Sequence, residues 1–247
     1  YTNPGLAKKL VEFRIQTLPG AMANAKAYGY PGARYPWESS VSGEEQCPNW
    51  QYADHEIHVT ADVVHGIWHY YQAAGDMEFL KNALPVLKET ARYWLARVCR
   101  KPGGAVTLDG VMGPDEYICL CNNNAYTNFM AARSLEITAW ALELCGEAAE
   151  PGFIEDLRET AQGLMNSVDW SGVIPQCDHF EDYEEPDFET MWPDRSKPFG
   201  GQVSQEYNYR VKALKQADVL MLPYLFPERF SAEQIRQSYD FYYPYTT

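Results

Sequence analysis

Apolar positions along this chain recur mostly at helical spacing, and the breaks between the runs are marked by glycine and proline. The clearest case is Leu80, Leu84, Leu87, Ala91, Trp94 and Val98, spaced at alternating steps of four and three, which forms one stripe on a helix. Asp76 just ahead is a good cap for it, and Pro85 is expected to kink the run or begin a new helix. The same reasoning predicts helices over Asn3 to Leu18, Pro19 to Tyr28, Asp54 to Tyr71, and Phe153 to Val168. Another is expected over Asn122 to Cys145, with Met130, Ile137, Ala141 and Leu144 on one face. Periodicity fails between Asp169 and Gly201, where a long acidic loop is expected, with Glu181 to Glu189 as solvated surface. Helix then resumes from Val203 to about Tyr224, and a short last one covers Ala232 to Tyr242. No useful strand alternation appears, so the class is nearly all-α, and the helix count fits a toroid of helical hairpins as well as a bundle.

Composition narrows the partners. The 247 residues, 46% of them hydrophobic, can bury a sizeable core. A formal net charge of −14 repels phosphate backbones and anionic membrane surfaces, so nucleic acid and membrane partners are not expected. No apolar run approaches the roughly 18 residues that span a bilayer, and Tyr1-Thr2-Asn3-Pro4-Gly5 lacks the layout of a signal peptide, which makes a cytoplasmic location the default. The six cysteines are dispersed in a chain too large to need staples, so they read as reduced thiols. Cys119 and Cys121 form the only close pair, too few ligands for a metal site.

Four clusters could carry chemistry. In Gly113-Pro114-Asp115-Glu116-Tyr117, glycine and proline force a loop that presents two adjacent carboxylates, either of which could serve as a protonated acid if burial or its neighbour held the proton. In Arg34-Tyr35-Pro36-Trp37-Glu38-Ser39, an indole stands beside a carboxylate, a pairing that grips a sugar ring or merely packs and caps a turn. His55, His58, Asp62, His65 and His69 follow at steps of three and four and are expected on one helical face. Ligands strung over three turns cannot converge on one ion, so a polar stripe is the better reading than zinc. Lys215-Gln216-Ala217-Asp218 is expected inside a mostly apolar helix, as cavity-facing polar groups or as a lysine reaching solvent.

Taken together, these clusters carry a resemblance. Pro36-Trp37-Glu38-Ser39 with Gly43-Glu44-Glu45, then Glu56-Ile57-His58-Val59-Thr60-Ala61-Asp62, Gly113 to Tyr117, Asn123-Asn124-Ala125-Tyr126-Thr127-Asn128 and Lys215 to Asp218 follow in the order and approximate spacing of glycoside hydrolase family 65. The chain resembles its bacterial inverting disaccharide phosphorylases. The resemblance implies an (α/α)6 barrel, with residues 1–247 as roughly its first two-thirds and the family's flanking β-sandwich and sheet domains outside this chain. It implies that Glu116 is the general acid, that phosphate is a co-substrate attacking the anomeric carbon of an α-glucosyl disaccharide, and that β-glucose 1-phosphate and a free acceptor leave. Trp37, Glu38, Lys215 and Gln216 match positions lining the glucose pocket, and neither a cofactor nor a metal is implied. A homodimer of the full-length protein is compatible with this picture. Ile118-Cys119-Leu120-Cys121 stands where family members usually carry a histidine and polar residues, next to the leaving-group sugar. The family's phosphate-binding segment would follow Thr247, so the isolated 247-residue product is expected to be poorly stable and inactive. The alternatives are a hydrolase of the same family, in which a carboxylate base activates water, and a carbohydrate-binding helical domain without turnover.

Overall fold

The computed structural model describes residues 3–247, so the leader expectation at Tyr1 and Thr2 lies outside the described residues. The chain divides into two compact units: residues through Leu108 with Thr127–Ser167, and Asp109–Tyr126 with Val168–Thr247.

The first unit is built on α1 (Pro4–Gln16), α2 (Leu18–Ala27), α3 (Trp50–His55), α4 (Val59–Ala74) and α5 (Met77–Arg97). A small hairpin of β1 (Cys99–Arg100) and β2 (Val106–Thr107) follows, then most of α6 (Ala125–Cys145) and all of α7 (Phe153–Asn166). Helix α5 is the spine. Its predicted stripe is buried from Leu80 to Val98, and it packs on α1, α2, α4 and α7. Asp76 caps it as expected, accepting from the Phe79 amide at 2.9 Å. Pro85 does not divide the helix, which runs unbroken past it. The ring faces solvent, where water can satisfy the carbonyl that loses its donor. In α6, Met130, Ile137 and Ala141 are buried as predicted, whereas Leu144 on the last turn is half exposed.

The predicted helix over Asp54 to Tyr71 is in fact two. Glu56, with ψ of 61°, ends α3, and the Ile57 amide turns back onto the His55 carbonyl at 2.9 Å before α4 begins. His55 therefore lies on a different helix from His65 and His69, and the five-residue stripe does not exist as one face.

The second unit is mostly irregular chain held by short helices: α8 (Phe188–Met191), α9 (Gln205–Asn208), α10 (Met221–Leu225) and α11 (Ala232–Tyr242), the last matching its predicted bounds. The helix expected over Val203 to Tyr224 does not form as one element: only α9 near its start and a turn with α10 at its end are helical. Residues 210–214 instead run extended between two neighbours. Glu184 exchanges backbone bonds with Arg210 and Lys212 on one side, and Leu214 pairs with Tyr245 and Thr247 on the other. Val211, Ala213 and Leu214 are buried there beside Met191 and Phe199, so non-local pairing outweighs local helix propensity. Lys215 and Gln216 consequently leave the end of an extended segment and are not helical.

Candidate active site

The loop bearing the paired carboxylates is pinched at its base. Val111 and Cys121 exchange both backbone hydrogen bonds, each at 2.9 Å, so residues 112–120 project as a closed loop of the second unit. Ile118 and Cys121 are buried under it, and Tyr117 packs its ring 5.6 Å from Phe199. The chain is strained beside that base: Leu120, next to Cys121, is exposed at φ 53°, a region that bulky side chains seldom adopt.

Within this loop the two carboxylates occupy opposite environments. Asp115 is completely buried, while the Glu116 side chain keeps 23% of its surface exposed. Asp115 Oδ1 accepts the backbone amides of Lys215 at 3.0 Å and of Tyr117 at 3.2 Å. The Asp115 amide donates to Asp218 Oδ2, and so does Asn124 Nδ2, both at 3.2 Å. Burial pushes the Asp115 carboxyl well above the usual carboxylate range, and the neighbouring Asp218 pushes the same way, against the amides that favour its ionised form. Gly113 makes the arrangement possible: a Cβ there would stand 2.2 Å from Asp218 Oδ2 and 2.4 Å from Asn124 Nδ2.

Glu116, Lys215 and Gln216 are brought together. Lys215 Nζ donates to Glu116 Oε1 at 2.9 Å, and Gln216 Nε2 donates to the Pro114 carbonyl at 2.6 Å. A half-exposed ammonium and an amide thus flank an accessible carboxyl, a set that can exchange internal bonds for sugar hydroxyls.

Trp37 and Glu38 belong to the first unit, where they lie on the loop after α2. Their backbone is held by a carboxylate that sequence reasoning quoted in a motif without giving it a role. Glu45 accepts from the amides of Trp37 at 2.7 Å, Glu38 at 3.0 Å, Gln46 at 3.1 Å and Cys47 at 3.0 Å. The run Gly43-Glu44-Glu45 held the available signal, since a turn glycine places the next carboxylates back over the chain. The Trp37 indole stands edge-on to the His58 ring at 5.9 Å, which leaves the indole half-buried and Glu38 exposed. His58 is gripped by Asp62 at 2.7 Å and by Glu56 at 3.4 Å. Burial opposes charge on this imidazole, but the two carboxylates overcome it and push its pKa up to about 9.

Among the described residues, His179, Glu181 and Asp182 bring their ligand atoms within 4.8 Å of one another, but all three are exposed on one short turn. His65 and His69 stack ring on ring at 5.8 Å, and burial lowers the pKa of His65. No described helix is long and apolar enough to cross a membrane.

Comparison with known proteins gives this geometry its family. The model of the glycosyl hydrolase family 65 central catalytic domain matches residues 1–247. A kojibiose phosphorylase of Halothermothrix orenii is 34% identical over 291 residues, covering 100% of this chain and 35% of that protein. An α,α-trehalose phosphorylase of Thermoanaerobacter brockii is 31% identical, covering 100% of this chain and 34% of its own length. A kojibiose hydrolase of Flavobacterium johnsoniae is 36% identical over 182 residues, or 73% of this chain and 26% of that protein. A solved structure named "Putative kojibiose phosphorylase from human microbiome" superposes with a TM-score of 0.88 at 30% identity, covering all of this chain and 36% of that one. The chain thus spans about a third of the length of the relatives it matches. Its fold is the all-α class of that structure, as the ordered motifs implied. A loop carboxyl flanked by a lysine and an amide, the ordered motifs around it and the match over every residue agree on one assignment: the chain belongs to glycoside hydrolase family 65 and falls in its central catalytic domain.

Proposed function

We propose that the full-length protein carries out inverting phosphorolysis of an α-glucosyl disaccharide, with Glu116 as the general acid. The observation that carries this reading is the environment of Glu116: accessible, on a pinched loop, and 2.9 Å from the Lys215 ammonium. In the reaction, a phosphate oxygen attacks the anomeric carbon from the face opposite the leaving group. The bond from that carbon to the glycosidic oxygen breaks as Glu116 gives its proton to the oxygen, and β-glucose 1-phosphate leaves with the free acceptor. Phosphate takes the place of the water that a second carboxylate would activate in an inverting hydrolase.

In the second unit Lys215 and Gln216 supply donors for the hydroxyls of the non-reducing glucose, and in the first unit Trp37 and Glu38 offer a stacking face and an acceptor for a sugar. Lys215 now donates to the oxygen that has to carry the proton. Sugar hydroxyls compete for the same ammonium, so substrate entry releases the carboxyl for its acid role. The kojibiose phosphorylases among the relatives favour kojibiose, the α-1,2-linked disaccharide, as the first substrate to try.

The kojibiose hydrolase among the relatives supports a second reading, hydrolysis of the same linkage. Incubating the full-length protein with kojibiose separates the two. Phosphate-dependent appearance of β-glucose 1-phosphate supports phosphorolysis, and release of two glucose molecules at the same rate without phosphate overturns it in favour of hydrolysis.

A further inference from the structure

The buried carboxylate next to Glu116 takes no part in the bond changes above, and its contacts define a different task, one that rests on the acid reading of Glu116. Asp115 Oδ1 holds two backbone amides, those of Tyr117 and Lys215. Glu116 lies between Asp115 and Tyr117 in the chain, and Lys215 carries the ammonium that meets Glu116. A single oxygen therefore ties down both backbone points that set the separation of the two side chains. The aspartate is itself clamped from below, because its amide donates to the fully buried Asp218, which also receives Asn124. Both amides within hydrogen-bond distance meet Oδ1, so the grip runs through that oxygen, and the Gln216 amide beside them also favours the ionised carboxyl. The close approach of Gly113 to Asp218 and Asn124 leaves this assembly little room to shift.

We propose that Asp115 is a positioning residue for the reaction: through Oδ1 it fixes the Glu116 carboxyl opposite the Lys215 ammonium without touching substrate. An alternative role, acting through negative charge, makes the opposite prediction for an uncharged isostere. Asparagine keeps an acceptor oxygen for the two amides, whereas alanine removes it.

The test uses two substrates with phosphate in the full-length protein. Kojibiose needs a proton from Glu116 to release its acceptor. In α-glucosyl fluoride the carbon–fluorine bond breaks as the phosphate oxygen bonds to carbon, and fluoride departs without a proton from the protein. Glu116→Gln serves as the reference, expected to lose on the order of 10²-fold or more in kcat on kojibiose and under about 10-fold on the fluoride. Asp115→Ala is expected to follow the same pattern, with a loss at least about 10-fold larger on kojibiose than on the fluoride. Asp115→Asn should stay within about 10-fold of the parent on both. Equal losses on the two substrates in Asp115→Ala, or no loss, would overturn the positioning role, because a defect of folding does not discriminate between leaving groups. Loss in Asp115→Asn as large as in Asp115→Ala would also overturn it, in favour of charge. If Glu116→Gln itself shows no preference between the substrates, the acid reading has failed, and the positioning role falls with it.

Discussion

A carboxylate does different work according to which donors surround it, and three acidic residues of this chain show the range. Glu116 faces solvent and one ammonium, Asp115 is sunk among amides, and Glu45 gathers four backbone N–H groups. Glu45 has no role in bond making, yet it fixes the loop that carries Trp37 and Glu38. Replacing it with alanine frees four amides, and hydrogen bonds to a charged group are worth about 1.5–3 kcal/mol. Glu45→Ala is therefore expected to raise KM for the disaccharide by on the order of 10-fold or more, with kcat changing less. Steady-state kinetics at saturating phosphate checks this, and an unchanged KM would remove the loop from the sugar site.

His58 gives a pH signature at the same scale. Its pKa in the folded chain is about 9, against roughly 6.5 for an unperturbed histidine. A raised folded pKa means that the folded state binds the extra proton more tightly, so this stabilisation is fully present below about pH 6.5 and is lost as pH rises through 9. Melting temperature measured across that window should decline for the parent more steeply than for His58→Gln. Parallel curves would show that the Asp62 and Glu56 contacts do not hold a charged imidazole.

At the scale of elements, what could be read from the sequence was local and what could not was paired at a distance. The α5 stripe and the Asp76 cap depend on residues within a few turns of one another, and both appear as expected. The bounds of α11 were legible for the same reason, since Ser231 caps it by accepting from the Gln234 amide at 3.1 Å. Ser231→Ala should cost about 0.5–2 kcal/mol, readable as a lower midpoint in chemical denaturation. An unchanged midpoint would mean that α11 is held by packing alone. The segment 203–217 misled because Val211, Ala213 and Leu214 suit a helix face as well as a buried extended run. Its conformation is decided by Glu184 and by Tyr245 to Thr247, partners some 27 and 31 or more residues away that no local window contains. The break at Glu56 was hidden for a related reason, since His55 and His58 keep helical spacing while the backbone between them turns.

The residues proposed for the candidate site bear recognisable chemistry, and those that hold them in place do not. Glu116 and Pro114 precede Lys215 and Gln216 by about a hundred residues in the chain and still meet them. What escaped were the holders: Asp218 and Glu45, whose carboxylates accept backbone amides, and Asn124, whose side-chain amide donates to Asp218, contacts that leave no mark in residue chemistry alone. Gly113 belongs with them. Gly113→Ala forces a methyl group onto two fully buried side chains and is expected to destabilise the second unit by about 1–3 kcal/mol. Thermal or chemical unfolding of the variant checks this, and wild-type stability would mean that Asp218 and Asn124 can move apart.

At the scale of the whole molecule, the proposed activity is cleavage of an α-glucoside with Glu116 as the acid and phosphate as the nucleophile. The acidic net charge of −14 sets no obstacle to a neutral sugar and disfavours polyanions. The most direct measurement compares the full-length protein and its Glu116→Gln variant on kojibiose with inorganic phosphate, following β-glucose 1-phosphate as it forms. Steady phosphate-dependent product is expected from the parent, with a loss on the order of 10²-fold or more in the variant. Undiminished turnover in Glu116→Gln, or glucose released from the parent at a rate indifferent to phosphate, would contradict that proposal.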